Sequence, residues 1–159
     1  MELRFATVND LDTIMDIEQR RFHGDDWNYD HWKYELTENA FSKTIALAID
    51  SVVVGYINYW IIFEQATINK VCVDEGYLRK GYGDILVKEA LKEIDKAYCV
   101  STSLEVRVSN IAAIYLYQKN LFKTALRKES YYSDGEDCYF MLRSIGDVYE
   151  GWNYTCYRV

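Results

Sequence analysis

Apolar residues in this chain recur with two spacings, one typical of helices and one typical of strands. Leu11, Ile14 and Met15 fall on one face of a helix, because residues three and four apart lie on the same side of it. Short apolar runs bounded by polar turn residues indicate strands. The pattern predicts strands over residues 3–7, 44–49, 52–62, 66–73, 101–108, 122–128 and 137–143. It predicts helices over residues 10–22, 30–36, 83–96 and 110–119, with Asn9 capping the first.

The stretch from 68 to 84 organises the rest of the chain. An apolar strand leads there into a loop with two glycines and two cations, and the loop opens a helix at about Gly83. The first N–H groups of a helix have no internal partner, and the helix dipole adds partial positive charge there. Gly81 lets a phosphate approach those groups, and Arg79 and Lys80 add full charges. The sequence therefore predicts a seat for a pyrophosphate.

Two familiar phosphate motifs do not fit this loop. No Gly-Lys-Ser/Thr run of the Walker A type occurs, and the dinucleotide fingerprint needs a third glycine where this chain has Leu86. On this segment alone, a plain capping turn explains the glycines equally well.

A second signal lies at residues 103–122, which read Ser-Leu-Glu-Val-Arg-Val-Ser-Asn-Ile-Ala-Ala-Ile-Tyr-Leu-Tyr-Gln-Lys-Asn-Leu-Phe. Tyr-Tyr-Ser-Asp-Gly-Glu-Asp follows at residues 131–137. With the glycine loop, these motifs resemble in order those of the GNAT acetyltransferase superfamily, and within it the RimI branch of protein N-terminal acetyltransferases. The resemblance covers most of residues 1–145 and is strongest over residues 68–142.

The resemblance implies a fold and an activity. The fold would be α/β (α+β), with a mixed, mostly antiparallel twisted sheet of about seven strands flanked by about four helices. One domain would cover residues 1–145, and the aromatic tail at 146–159 matches nothing in the family. The activity would transfer acetyl from acetyl-CoA, without a metal, to a protein N-terminal amine, in this branch the alanine of a small-subunit ribosomal protein. There are three alternatives. The enzyme could acetylate a small amine or an internal lysine, or the chain could be a catalytically silent acyl-CoA-binding module or a bare nucleotide-binding domain.

The resemblance also implies which residues handle protons. Glu105, on the polar face of its strand, is the expected base for the amine, and the alternative is an exposed glutamate or a partner of Arg107. Tyr117 is the expected acid for the departing thiolate. The alternative is that Tyr117 is a helix aromatic packed in the core, a role that Tyr115 or Leu116 could fill instead.

The remaining expected contacts surround these two residues. A backbone N–H near Val73 is expected to face the thioester oxygen. Asn110 is expected to hydrogen-bond the pantetheine arm, although helix capping also explains it, and Trp27 is either an acceptor contact or plain packing. The expected cofactor contacts are Val71, Cys72, Val73, Arg79, Lys80, Gly81, Tyr82, Gly83, Asp84, Asn110 and Tyr117. The expected acceptor contacts are Trp27, Tyr131 and Tyr132.

Three positions depart from the family pattern. Leu78 replaces an Arg or Gln that helps frame the pyrophosphate, and Glu75 replaces a proline. The usual Leu-Gly-Phe after the tyrosine helix is Asn-Leu-Phe here, beginning at Asn120. Because asparagine tolerates the left-handed conformation, we expect Asn120 to end the helix in place of the glycine.

Charge and cysteine content narrow the function classes. The 159 residues include 18 basic and 25 acidic ones, a net charge of -7, which argues against a general binder of nucleic acid or anionic membranes. It suits a cationic acceptor, although it is also ordinary for a cytosolic protein. The four cysteines lack C-x-x-C spacing and are expected to be buried thiols, while two histidines argue against a zinc site. Without an apolar signal core or a membrane-length run, we expect a cytoplasmic monomer or homodimer.

Overall fold

The computed structural model describes residues 1–22, 24, 26–144 and 146. Its strands are β1 (Glu2–Phe5), β2 (Ser42–Ile49), β3 (Val52–Ile62), β4 (Gln65–Val73), β5 (Ser101–Arg107), β6 (Lys123–Lys128) and β7 (Cys138–Ser144). Its helices are α1 (Leu11–Arg21), α2 (Tyr29–Thr37), α3 (Tyr82–Lys96) and α4 (Ile111–Lys119), with 3-10 turns at Val8–Asp10 and Glu75–Tyr77. Each predicted strand and helix is confirmed, with ends displaced by one or two residues.

The described strands form one mixed sheet in the order β1-β2-β3-β4-β5-β7-β6. All neighbours are antiparallel except β4 and β5, which are parallel because α3 crosses over between them. β6 and β7 form the last hairpin. Its second strand, β7, pairs with β5, so β6 lies at the edge of the sheet. The predicted fold class is therefore confirmed.

Helices cover both faces of this sheet. On one face the apolar side of α3, including Leu86, Ala90 and Ile94, packs into the larger core together with Tyr117 of α4. On the other face α1 and α2 bring Ile14 and Trp32 against a smaller core. The sheet is thus the middle of three layers, and any opening through it connects the two faces.

One β-bulge in β4 decides where such an opening forms. Asn58 of β3 pairs with Lys70, but Tyr59 pairs with Ile68, so Asn69 is the extra residue. Ile68 consequently belongs to the larger core, whereas the side chain of Lys70, two residues later, is buried against α1 on the opposite face. The bulge reverses the alternation of β4 halfway along the strand.

Two expected helix ends were wrong in detail. Asn9 does not cap α1; Thr7 accepts from the Asn9 N–H at 3.3 Å, and Asp10 accepts from the Thr7 N–H at 2.8 Å. This reciprocal pair forms a capping box before α1. Asn120 does not adopt the left-handed conformation, with φ of -96°, because Leu121 does so instead at φ of 69°.

Cys72, Cys99 and Cys138 are buried free thiols, as predicted, whereas Cys156 lies outside the described residues. The aromatic tail beyond residue 146 also lies outside them. Across the described part of the chain, no three His, Cys, Asp or Glu side chains are arranged to hold a metal ion. No described helix is long and apolar enough to cross a bilayer.

Gly55 permits the close approach of β3 to the end of β4. A Cβ atom there would lie 2.8 Å from the Cys72 carbonyl oxygen and 3.3 Å from Cδ1 of Leu86. Gly55→Ala is therefore expected to lower the free energy of unfolding by about 1–3 kcal/mol, measured by urea denaturation. Gly76→Ala is the control, because a Cβ atom there meets nothing within 4 Å, and we expect a change under about 0.5 kcal/mol. Equal stability of the two variants would contradict this account.

Candidate active site

The candidate site is a gap between the carboxyl-terminal halves of β4 and β5. The two strands pair only from Gln65 to Ile68 on β4 and from Ser101 to Leu104 on β5. Beyond the bulge, β4 continues to Val73 and β5 to Arg107 without pairing to each other. Since β5 pairs with β7 along its whole length, the unpaired edge of β5 faces β4.

Backbone donors of β4 face this gap. The Asp74 N–H donates to the Val54 carbonyl of β3 at 2.8 Å. Because successive N–H groups of a strand point to opposite sides, the N–H groups of Val73 and Val71 point away from β3 and toward β5. The geometry agrees with the expectation of a backbone donor near Val73.

The glycine loop opens α3 beside the same gap. Gly81 is the N-cap residue with φ of 81°, Arg79 is also left-handed with φ of 58°, and no side chain caps the helix. The first helical hydrogen bond comes from the Ile85 N–H to the Gly81 carbonyl at 3.1 Å, so the amides of residues 82–84 precede the helical ladder. No side chain occupies these amides, an arrangement typical of helix ends that bind anions, although a plain glycine cap has the same geometry.

The cations of the loop differ in position. Lys80 Nζ donates to the Gly76 carbonyl at 3.0 Å and lies 5.0 Å from the centroid of the Tyr77 ring. Arg79, Lys80 and Leu78 are exposed. The two charges therefore lie at the outer rim of the loop, where a charged ligand would first meet the protein.

Asp84 turns its side chain away from the loop and toward α4. Its carboxylate accepts from Lys119 Nζ at 2.8 Å, from Lys88 Nζ at 2.8 Å and from Asn120 Nδ2 at 2.9 Å. Burial works to raise the pKa of Asp84, but the hydrogen bonds from Lys119, Lys88 and Asn120 outweigh it and hold the pKa well below its usual range. Because the Asp84 carboxylate is engaged by these three residues, only the backbone amide of Asp84 faces the loop.

Glu105 stands at the edge of the gap on the face covered by α1 and α2. Its partner is Lys128, whose Nζ lies 2.9 Å from the carboxylate, so the suggested pairing with Arg107 was wrong. The same Nζ lies 4.9 Å from the Phe140 ring centroid and 5.2 Å from that of Tyr131. The hydrogen bond to Glu105 raises the pKa of Lys128, which keeps it an ammonium group.

Tyr117 lies on the opposite face, in the core shared by α3 and α4. It is 8% exposed, and its ring meets that of Phe122 edge-on with centroids 5.8 Å apart. Burial raises the pKa of Tyr117 far above its usual value, so the phenol holds its proton at neutral pH. The suggestion that Tyr115 could fill this core position was wrong, because Tyr115 is 70% exposed.

Cys72 lies beside the gap but on the face of α1. Burial raises the pKa of its thiol to about 11. The thiol is therefore protonated at neutral pH and a poor nucleophile.

The loop between β6 and β7 forms one side of the Glu105 face. The Tyr131 and Tyr132 rings meet edge-on at 5.1 Å, and the Arg107 guanidinium lies 3.9 Å from the Tyr132 ring centroid. Arg107 also pairs with Glu136 at 2.7 Å, and the Ser109 N–H donates to the same carboxylate at 2.9 Å. Hydrogen bonds from Ser109 and Arg107 lower the pKa of Glu136 to about 2.

Residues 26–28, just before α2, form the other side. Trp27 is half-buried, with its ring stacked on His31 at 4.1 Å and tilted against Trp32 at 5.0 Å. Asn110 caps α4 by accepting from the Ala113 N–H at 3.1 Å, so the capping explanation of Asn110 is correct. Its amide nitrogen is the group that a ligand could still use.

The structure thus places Val71, Val73 and Glu105 on the unpaired halves of β4 and β5, with Glu105 and Tyr117 on opposite faces of the sheet. Sequence reasoning missed Lys128, which lies 23 positions from Glu105, and Lys70, which lies 52 positions from its partner Glu18. Neither pair has a sequence signal, because the order of the strands brings Lys128 to Glu105 and the packing of α1 on the sheet brings Glu18 to Lys70.

Comparison with known proteins agrees with this geometry. Residues 10–121 match the acetyltransferase (GNAT) family. The chain is 33% identical over 150 residues to the ribosomal protein bS18-alanine N-acetyltransferase of Escherichia coli K12, covering 87% of this chain and 93% of that one. It is 32% identical over 156 residues to an N-alpha-acetyltransferase of Saccharolobus solfataricus, covering 90% and 92%. The crystal structure of the E. coli ribosomal-protein-S18-alanine N-acetyltransferase superposes with a TM-score of 0.82 at 28% identity, covering 91% and 93%.

Proposed function

Because the chain belongs to the GNAT acetyltransferase family, we propose that it transfers acetyl from acetyl-CoA to the N-terminal α-amine of a protein. The relatives named for acetylating the alanine of ribosomal protein bS18 support the N-terminal alanine of a small-subunit ribosomal protein as the acceptor. The observation that carries the proposal is the gap where β4 and β5 stop pairing, followed directly along the chain by a glycine-capped helix.

The residues around the gap fit acetyl-CoA. The left-handed Gly81 leaves the amides of Tyr82, Gly83 and Asp84 clear for the diphosphate, with Arg79 and Lys80 at the rim. The backbone of residues 71–73 would hold the pantetheine arm as an added strand, because its Val71 and Val73 N–H groups face the gap. When bound, the cosubstrate supplies an activated acyl group and a thiol leaving group.

Glu105 would accept the proton of the acceptor amine, directly or through a water molecule. A peptide α-amine has a pKa of about 8, so a carboxylate within hydrogen-bond reach suffices. Lys128 marks a position that an ammonium group can occupy, because its Nζ lies 2.9 Å from Glu105, 5.2 Å from the Tyr131 ring centroid and 4.9 Å from that of Phe140. The space around Glu105 on this face therefore suits an ammonium group.

As the amine nitrogen bonds to the acyl carbon and the thioester C–S bond breaks, Tyr117 would give a proton to the departing thiolate from the opposite face of the sheet. Its phenol keeps that proton at neutral pH because burial raises its pKa. The Val73 N–H would stabilise developing negative charge on the acyl oxygen. Cys72 takes no acyl group in this scheme, since its thiol has a pKa of about 11, so transfer would be direct.

The acceptor would enter on the Glu105 face, between Trp27 on one side and the pair Tyr131 and Tyr132 on the other. These rings offer apolar surface to the first residues of a peptide. A net charge of -7 favours a basic protein as the partner.

The proposal is tested by offering acetyl-CoA with a panel of peptides. Peptides with a free N-terminal alanine are expected to be acetylated, whereas the same peptides with a blocked N-terminus and an internal lysine are not. Mass spectrometry of the products locates the acetyl group. Modification of lysines alone, or of small amines alone, would overturn the α-amine assignment, and no turnover with any amine would indicate a silent acyl-CoA-binding module.

Glu105→Gln and Tyr117→Phe are expected to lower kcat by roughly 10²-fold or more while acetyl-CoA binding is retained, because each removes a proton carrier and not a binding group. Steady-state kinetics and calorimetry measure the two quantities. Tyr115→Phe, on the exposed side of the same helix, is the matched control and should behave as wild type. Wild-type kcat in both test variants would remove these roles.

Gly81→Ala is expected to weaken acetyl-CoA binding by roughly tenfold, because a side chain at φ of 81° strains the turn that presents the amides. Calorimetric titration with acetyl-CoA measures the effect. Gly76→Ala, earlier in the same loop and without a positive φ, is the control and should bind normally. Equal affinities in the two variants would show that the left-handed cap does not hold the diphosphate.

A further inference from the structure

A buried ion pair lies beside the gap, on the face where the acceptor would enter. Glu18 of α1 is fully buried, and Lys70 of β4 has a side chain that is 8% exposed. Lys70 Nζ lies 2.7 Å from Oε1 of Glu18. The Tyr56 hydroxyl of β3 donates to the other carboxylate oxygen. One carboxylate thus joins α1, β3 and β4.

The same carboxylate holds the segment between α1 and α2. The Trp27 N–H donates to Oε1 of Glu18 at 2.9 Å. The Lys70 ammonium lies 4.0 Å from the Phe22 ring centroid and 5.4 Å from that of Trp27. Both rings therefore contribute cation–π attraction to a charge that is already paired. Trp27 is fixed by its backbone and its ring at once.

Net stability does not account for a charged pair at this position. Desolvating two charges costs several kcal/mol per ion, and replacing a buried pair with apolar residues is often neutral or stabilising. The position of Lys70 is more informative. It immediately follows the bulge at Asn69 and precedes Val71, so it belongs to the unpaired stretch of β4 that lines the gap.

We propose that Lys70 is a positioning residue for the acceptor, which with Glu18 holds Trp27 against the β4 wall of the gap. The inference rests on the proposed function, because it assumes that the acceptor amine enters between Trp27 and the β6–β7 loop. Lys70 does not touch the reacting atoms. Acceptor binding should depend on it, and acetyl-CoA binding should not.

The test uses the double variant Glu18→Gln/Lys70→Met, which removes both charges of this pair together. KM for an alanine-terminated peptide is expected to rise roughly tenfold, with kcat and the Kd of acetyl-CoA within about twofold of wild type. Labelling with ¹⁵N-tryptophan reports the backbone amides individually. Exchange of the Trp27 amide with solvent is expected to accelerate roughly tenfold, while that of Trp60 in β3 stays unchanged.

Two controls make the result specific. Arg143 is also nearly buried and pairs with Asp95 through two contacts of 2.9 Å, but it lies at the opposite end of β5 beside Thr102. Arg143→Met should lower stability without changing the peptide KM selectively. The single variant Lys70→Arg keeps the positive charge. Its peptide KM and its Trp27 amide exchange rate should therefore lie closer to wild type than those of the double variant. If the double variant does not fold, Lys70→Met alone replaces it, with Arg143→Met as the control for the loss of a buried cation.

Wild-type peptide KM and wild-type Trp27 exchange in the double variant would overturn the proposal. A parallel loss of peptide and acetyl-CoA binding would overturn it too, since that pattern indicates general damage. A wild-type protein that acetylates no α-amine would refute the proposed function instead. The exchange rate of the Trp27 amide would then still report whether Lys70 and Glu18 hold the segment.

Discussion

The extra residue in β4 is the constraint on which the site depends. Before Asn69, β4 pairs with both of its neighbours, and after it β4 keeps β3 but loses β5. The bulge rotates the second half of the strand, so that Lys70 and Cys72 turn toward α1 while Val71 and Val73 turn toward α3. A regular strand would continue the pairing and close the sheet.

The separation of β4 from β5 leaves backbone groups without a strand partner. A buried N–H or C=O group that makes no hydrogen bond costs about 1–3 kcal/mol, so an edge inside a sheet is retained only where water or a ligand can satisfy it. The elements around this edge are rigid. Gly55 allows β3 and Leu86 to approach the end of β4 closely, and Asp84 fastens the start of α3 to α4. The opening is therefore built into a well-supported frame.

Local patterns in the sequence were sufficient to predict the helices and strands and the glycine loop that begins α3. Alternation placed Glu105 on the polar face of β5, and glycine spacing placed the helix start within one residue. Contacts across the sheet could not be predicted, because they depend on register. Lys128 reaches Glu105 only because β7 lies between β5 and β6, and Glu18 meets Lys70 only because of the bulge. The end of α4 at Lys119 was predicted correctly, but the left-handed residue after it was not, since Leu121 rather than Asn120 adopts that conformation although leucine disfavours it.

Glu105 and Tyr117 lie on opposite faces of the sheet, and this arrangement bears on the kinetic order of the reaction. Under the proposed function, a carrier bound on the α3 face and a chain end bound on the α1 face would meet only between β4 and β5. The expected kinetic scheme would then be a ternary complex of both substrates rather than a ping-pong exchange.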